Sequence, residues 1–115
     1  MSTPEAILAR VTGVPGVRGS LLVSLADGLV VAERVMEGVD ARAVAALTGS
    51  LVSRLARVTD RAAMRPPAFV QLRGGAGAVL AASGPEELVL VAIVGPEANI
   101  GLARVEMLDA VERLT

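Results

Sequence analysis

The sequence contains no cysteine, histidine, lysine, tryptophan or tyrosine, and Phe69 is its one aromatic residue. Each absence closes a class of function. Without Cys there is no disulfide, no thiolate nucleophile and no zinc–thiolate centre. Without His the chain lacks the commonest general base and metal ligand. Without Lys it can form no Schiff base and cannot supply the lysine of a phosphate-binding P-loop. A single aromatic ring offers no platform for stacking bases, and a net charge of −1 gives no general attraction to nucleic acid. No catalytic residue, cofactor or metal is therefore expected.

What is present is mostly apolar. Hydrophobic residues make up 53% of the chain and the mean hydropathy is +0.62. The longest unbroken apolar run, Leu88 to Val94, is far shorter than the roughly 20 residues that span a bilayer, so no membrane insertion is expected. The first residues show no basic segment followed by an apolar one, and a cytoplasmic location is expected. At 115 residues the chain reads as one domain, residues 1–115. Its excess apolar character must go into a sheet covered on both faces, into an oligomer interface, or both. Charge is uneven. Residues 40–73 carry six Arg against Asp40 and Asp60, net +4, whereas residues 74–115 are net −4.

The longest periodic segment, Asp40 to Arg65, predicts a helix with two apolar stripes. Val44, Leu47, Leu51, Leu55, Val58 and Ala62 form a large-residue stripe, expected to lie on the sheet. Ala45, Gly49, Val52, Ala56, Thr59 and Ala63 form a second stripe of mostly small residues. Gly in a helix interior costs about 1 kcal/mol against Ala, and close approach of another backbone at Gly49 would explain it. Packing against a second copy of the same helix across a two-fold axis supplies that approach. Arg54, Arg57 and Arg61, with Arg65 beyond them, recur along the helix. They read as a solvated face, as a docking surface for an acidic partner, or as a catalytic arginine finger.

Around this helix the chain is clearly punctuated. Ser2 to Glu5 predicts a helix start, with Ser2 and Glu5 at capping-box spacing, and Gly13, Pro15 and Gly16 end that helix. Gly19–Leu25 and Leu29–Glu33 predict a hairpin about Asp27-Gly28, continuous in apolar character and so expected to be buried on both faces. Pro66-Pro67 stops the long helix. Ala68–Arg73, Ala78–Ser83 and Leu88–Val94 predict three strands, the first near a sheet edge and the last central. Gly95-Pro96-Glu97 opens a final helix to about Leu114. The order α-β-β-α-β-β-β-α gives class α+β, a five-stranded antiparallel sheet with helices on both faces. Gly74–Gly77 reads as a hairpin turn, because a strand follows it and no Lys does. Glu86-Glu87 and Glu106/Asp109 read as solvated charge in preference to metal ligands.

Val14-Pro15-Gly16-Val17-Arg18-Gly19, Asp27-Gly28 and Asn99-Ile100-Gly101-Leu102-Ala103-Arg104, taken with the element order, resemble the Roadblock/LC7 family. Within it the chain is similar to the short bacterial, MglB-like regulators of Ras-like GTPases. The resemblance implies profilin-like layers, with the first and last helices on one face of the sheet and the middle helix on the other. It implies a homodimer in which the middle helices pack antiparallel and the third strands pair edge to edge. The interface is thus expected at Ala45, Gly49, Val52, Ala56 and Ala63 with Phe69, Val70, Gln71 and Leu72. It further implies a Ras-like small GTPase as partner, docked on the middle-helix side where Arg54, Arg57 and Arg61 lie. Hydrolysis would then be accelerated without a catalytic residue from this chain. The alternative is a dimeric scaffold, like a dynein light chain, that assembles a complex without affecting hydrolysis.

Overall fold

A computed structural model describes residues 2–114. Helix α1 (Pro4–Thr12) is capped by Thr3, whose Oγ1 accepts from the Ala6 amide at 3.2 Å. The cap thus sits one residue after Ser2. Pro4 at the first helical position favours an extended residue before it, and Thr3 is the hydroxyl placed there. Strands β1 (Val17–Ser24) and β2 (Leu29–Val35) form the first hairpin. Helix α2 (Ala41–Arg61) is capped by the Asp40 carboxylate, which accepts from the Ala43 amide at 3.1 Å. Strands β3 (Phe69–Gly74), β4 (Gly77–Ser83) and β5 (Leu88–Val94) follow. Helix α3 (Ile100–Glu112) starts at an Asn99 cap, three residues beyond Pro96, because the Asn99 side chain accepts from the Leu102 amide.

The five strands are antiparallel in the order β2-β1-β5-β4-β3. The uniformly apolar β5 is central, as expected, and the polar β3 is an edge. One expectation fails. β1 is buried along nearly its whole length, but β2 is the other edge and is largely open, with Leu29 and Val31 62% and 50% exposed. Local apolar character cannot distinguish the two strands. Pairing of β1 with the distant β5 is what leaves β2 outside.

Alternation along each strand divides the core in two. On one face Leu22, Leu80, Leu90 and Val94 pack with Ile7, Leu8 and Val11 of α1 and Ala103, Met107 and Ala110 of α3. The buried Ser20 hydroxyl donates to the Leu8 carbonyl at 3.2 Å and ties β1 to α1. On the other face Leu21, Val23, Val89 and Val91 pack under α2. The Gly16 of the first motif has φ +90°, and a Cβ there would lie 2.6 Å from the Ala98 Cβ, so the approach to α3 needs this glycine.

Charges expected to be merely solvated are shared between α1 and α3. The Arg10 Nε donates to Glu106 Oε2 at 2.6 Å, Arg10 also meets Asp109, and Arg113 Nε donates to the same Asp109 oxygen at 3.0 Å. Hydrogen bonds from Arg113 and then Arg10 hold the Asp109 carboxyl below its ordinary range. A depressed carboxylate contributes stability above its unfolded pKa and loses it as pH falls through the folded value. Thermal melts should therefore show Asp109→Asn less stable than the parent at neutral pH, and the two converging in strong acid.

Candidate functional site

Two features of α2 set the surface that remains for function, namely which stripe it buries and where it stops. The stripe is the reverse of the one expected. Ala41, Ala45, Thr48, Gly49 and Val52 are the buried residues of the helix. The sheet face beneath is already filled by Leu21, Val23, Val89 and Val91, so a helix close to it needs small residues. Ala45, Gly49 and Val52 are thus covered by the chain's own sheet and are not available to a second chain. Ala56 is half-buried on the same side. At Gly49 no backbone crowds the helix, for a Cβ there would meet only Leu25 Cδ2 at an ordinary 3.6 Å. Gly49→Ala should therefore fold normally and gain about 0.5–1 kcal/mol from helix propensity, read as a higher urea midpoint.

The helix stops at Arg61, four residues short of the sequence expectation. Met64 N–H donates to the Thr59 carbonyl at 2.8 Å and Ala63 N–H to the Asp60 carbonyl at 3.1 Å, with Ala63 at φ 57°. This is a Schellman ending with alanine in the usual glycine place. Ala63 lies past the helix and not on its face.

The large-residue stripe faces outward. Leu47 and Val58 are 72% and 61% exposed, and Val44, Leu51 and Leu55 are half-buried. Arg42 and Ala46, on the opposite flank of α2, line a groove against β2. The large stripe therefore looks the other way, over the β4–β3 half of the sheet. There Leu72, Val79 and Ile93 stand in register across β3, β4 and β5. Leu72 is 50% exposed, while Val70, Val79 and Ile93 are partly buried on the α2 side. Helix and sheet form the two walls of one apolar corner, bounded by the free edge of β3.

The four strand residues expected at the interface all lie on that edge, on alternate faces. Val70 and Leu72 belong to the corner. Phe69 packs on the other face, where the Arg104 guanidinium carbon sits 5.5 Å from its ring centroid, and Gln71 shares that face and is exposed. Arg54, Arg57 and Arg61 are brought together. With Val58 and Ala62 they line an open depression of about 560 Å³ on the outer side of α2, beside the corner. Among the described residues none of the three forms an ion pair. No cluster of acidic residues that could hold a metal is found there either, and no described helix is long and apolar enough to cross a membrane.

A family model for the Roadblock/LC7 domain matches residues 4–94, from the start of α1 to the end of β5. The chain belongs to the Roadblock/LC7 family. An uncharacterized protein of Methanocaldococcus jannaschii, MJ1340, is 27% identical over 110 residues, which is 96% of this chain and 95% of that one. Among solved structures, Myxococcus xanthus MglB superposes with a TM-score of 0.87 at 20% identity, covering 100% of this chain and 90% of that one. A Roadblock/LC7 domain from Streptomyces avermitilis gives 0.88 at 21% identity, covering 98% and 95%. These likenesses establish the Roadblock/LC7 fold, with α1 and α3 on one face of the sheet and α2 on the other. The outward residues Leu47, Leu51, Leu55 and Val58 are the part of this surface that stripe counting assigned to the sheet.

Proposed function

We propose that the chain acts as a homodimeric, non-enzymatic regulator that binds a Ras-like small GTPase and promotes its GTP hydrolysis without supplying a catalytic residue. The observation that carries this reading is the apolar corner of α2 and β3 with a cluster of unpaired arginines beside it. A face holding Leu47, Val58 and Leu72 in the open is what a protein interface requires. A second copy related by a two-fold axis covers it on both sides with one surface patch, and pairing of the β3 edges removes an open strand. That arrangement keeps the antiparallel α2 contact implied by the family resemblance. It rests the contact on the large stripe in place of Ala45, Gly49, Val52, Ala56 and Ala63. Arg54, Arg57 and Arg61 then border the interface and face an acidic partner.

The test is single-turnover GTP hydrolysis by a cognate GTPase with and without this protein. Acceleration is expected. Arg54→Glu with Arg61→Glu should weaken GTPase binding about ten- to a hundredfold while the dimer mass stays unchanged. Binding without acceleration would favour a dimeric scaffold or adaptor subunit, and unaltered affinity on charge reversal would mean the arginines are only solvated.

A further inference from the structure

Symmetry fixes where the arginines of two copies point. In the dimer proposed above, on which this inference rests, the β3 edges pair antiparallel. A two-fold axis joins two edges in that way only when it runs perpendicular to the sheet. Both α2 helices then lie on the same face of one continuous sheet. In each copy Ala45, Gly49 and Val52 are the buried side of the helix, and Arg54, Arg57 and Arg61 centre on the opposite side. The two arginine rows therefore point the same way, along the axis. Arg54 and Arg61 stand two turns apart, about 10 Å. No carboxylate lines the depression that the row forms with Val58 and Ala62. Among the described residues none of the three arginines is in an ion pair. Asp60, the acidic residue within α2, sits about a quarter-turn round the helix from them.

We propose that this shared face, with three arginines from each copy, rests on an anionic lipid bilayer, the two-fold axis lying along the membrane normal. A bilayer is the same in every direction about its normal, so it meets both copies identically. A single asymmetric protein cannot do so. Each Lys or Arg held at an anionic lipid surface strengthens binding about fivefold. The row of one copy is thus worth about a hundredfold, and the two rows together about ten-thousandfold. The second copy supplies half of the site. The contact is one of adsorption, for no described helix is long and apolar enough to cross a membrane. The same arginines border the proposed GTPase site, so bilayer and GTPase compete for them.

The full chain should sediment with vesicles of phosphatidylcholine and phosphatidylglycerol, and stay in solution with phosphatidylcholine alone. Binding should fall steeply as salt is raised, since the Debye length is only about 8 Å at physiological ionic strength. Arg54→Glu with Arg61→Glu should weaken vesicle binding at least about a hundredfold. Arg34→Glu with Arg104→Glu makes the same change in net charge on the other face of the sheet. There Arg34 borders a groove with Leu8 of α1, and Arg104 stands over Phe69. That pair should leave binding in place. Light scattering reads the dimer independently for each protein. The bilayer contact alone is overturned by a dimer that ignores the anionic vesicles or binds both kinds equally. It is overturned too if Arg54→Glu with Arg61→Glu has no effect, or no more effect than the opposite-face pair. A parent chain that proves single at micromolar concentration overturns the dimer reading and this one with it.

Discussion

Leu47→Glu combined with Leu72→Glu is expected to give a folded chain of 11.7 kDa in solution, and the parent chain is expected at twice that mass. The two positions stand on opposite walls of the apolar corner and are 72% and 50% exposed in the single chain. Exposed substitutions of this kind usually change folding stability by no more than about 0.5 kcal/mol. In a two-fold interface the same changes place four carboxylates among apolar side chains. Burying an unpaired carboxylate costs several kcal/mol even after relaxation, so the dimer should weaken by at least about a thousandfold. Light scattering at micromolar concentration, with circular dichroism to show the fold intact, reads both effects. The contrasting variant is Ala45→Leu, in the stripe that periodicity alone assigned to the interface. Ala45 is fully buried against the sheet, so overpacking there should cost about 1–3 kcal/mol of folding stability and leave the association of folded chains in place.

The largest effect on stability is expected at Gly77, which closes the β3–β4 hairpin opposite Gly74. Its φ is +147°, and a Cβ built on it overlaps the Val94 carbonyl oxygen and lies 3.3 Å from the Gly95 Cα. Both obstacles are backbone of the central strand or its end and cannot rotate away. Gly77→Ala combines backbone strain with a steric clash, each worth about 1–3 kcal/mol, and should cost about 3 kcal/mol or more. That is a large share of the roughly 5–15 kcal/mol by which a domain of this kind is stable. Urea unfolding should show a much lower midpoint with an unchanged slope. Gly75→Ala, two residues earlier in the same turn, meets nothing within 4 Å and should stay within about 0.5 kcal/mol of the parent. Glycine content alone does not separate these residues. The approach of β5 does.

Much of the fold was legible because its signals are local. Asp27-Gly28 marks the first turn and Asp40 caps α2, while the unbroken Leu88–Val94 run marks the central strand. The helix starts were each misplaced, α1 because Thr3 carries the same capping hydroxyl as Ser2, and α3 because Pro96 breaks the strand three residues before the Asn99 cap. Features resting on distant pairs were not legible. Arg10 and Glu106 are 96 residues apart, and the exposure of β2 depends on which strand β1 chooses as its other neighbour. The orientation of α2 is the instructive case. Periodicity supplied two apolar stripes and size decided between them wrongly, because a sheet face already full of Val and Leu accepts the smaller stripe. A signal was present nonetheless. Arg54, Arg57 and Arg61 centre on the side of the helix opposite Ala45, Gly49 and Val52, so the charged face pointed to the small stripe as the buried one. The arginine cluster itself followed correctly from helical spacing, since all three residues line one depression.

A cysteine-free chain allows the contact between copies to be located directly, because each introduced thiol is unique. Leu72→Cys on β3, Val58→Cys on α2 and Leu29→Cys on β2 would each be treated with a short bismaleimide and run on a denaturing gel. Leu72→Cys and Val58→Cys are expected to give a band at twice the chain mass, and Leu29→Cys a band at the single-chain mass. Linkage through Leu29→Cys, with Leu72→Cys and Val58→Cys remaining single, would contradict the assignment of the α2–β3 corner as the surface where two copies meet.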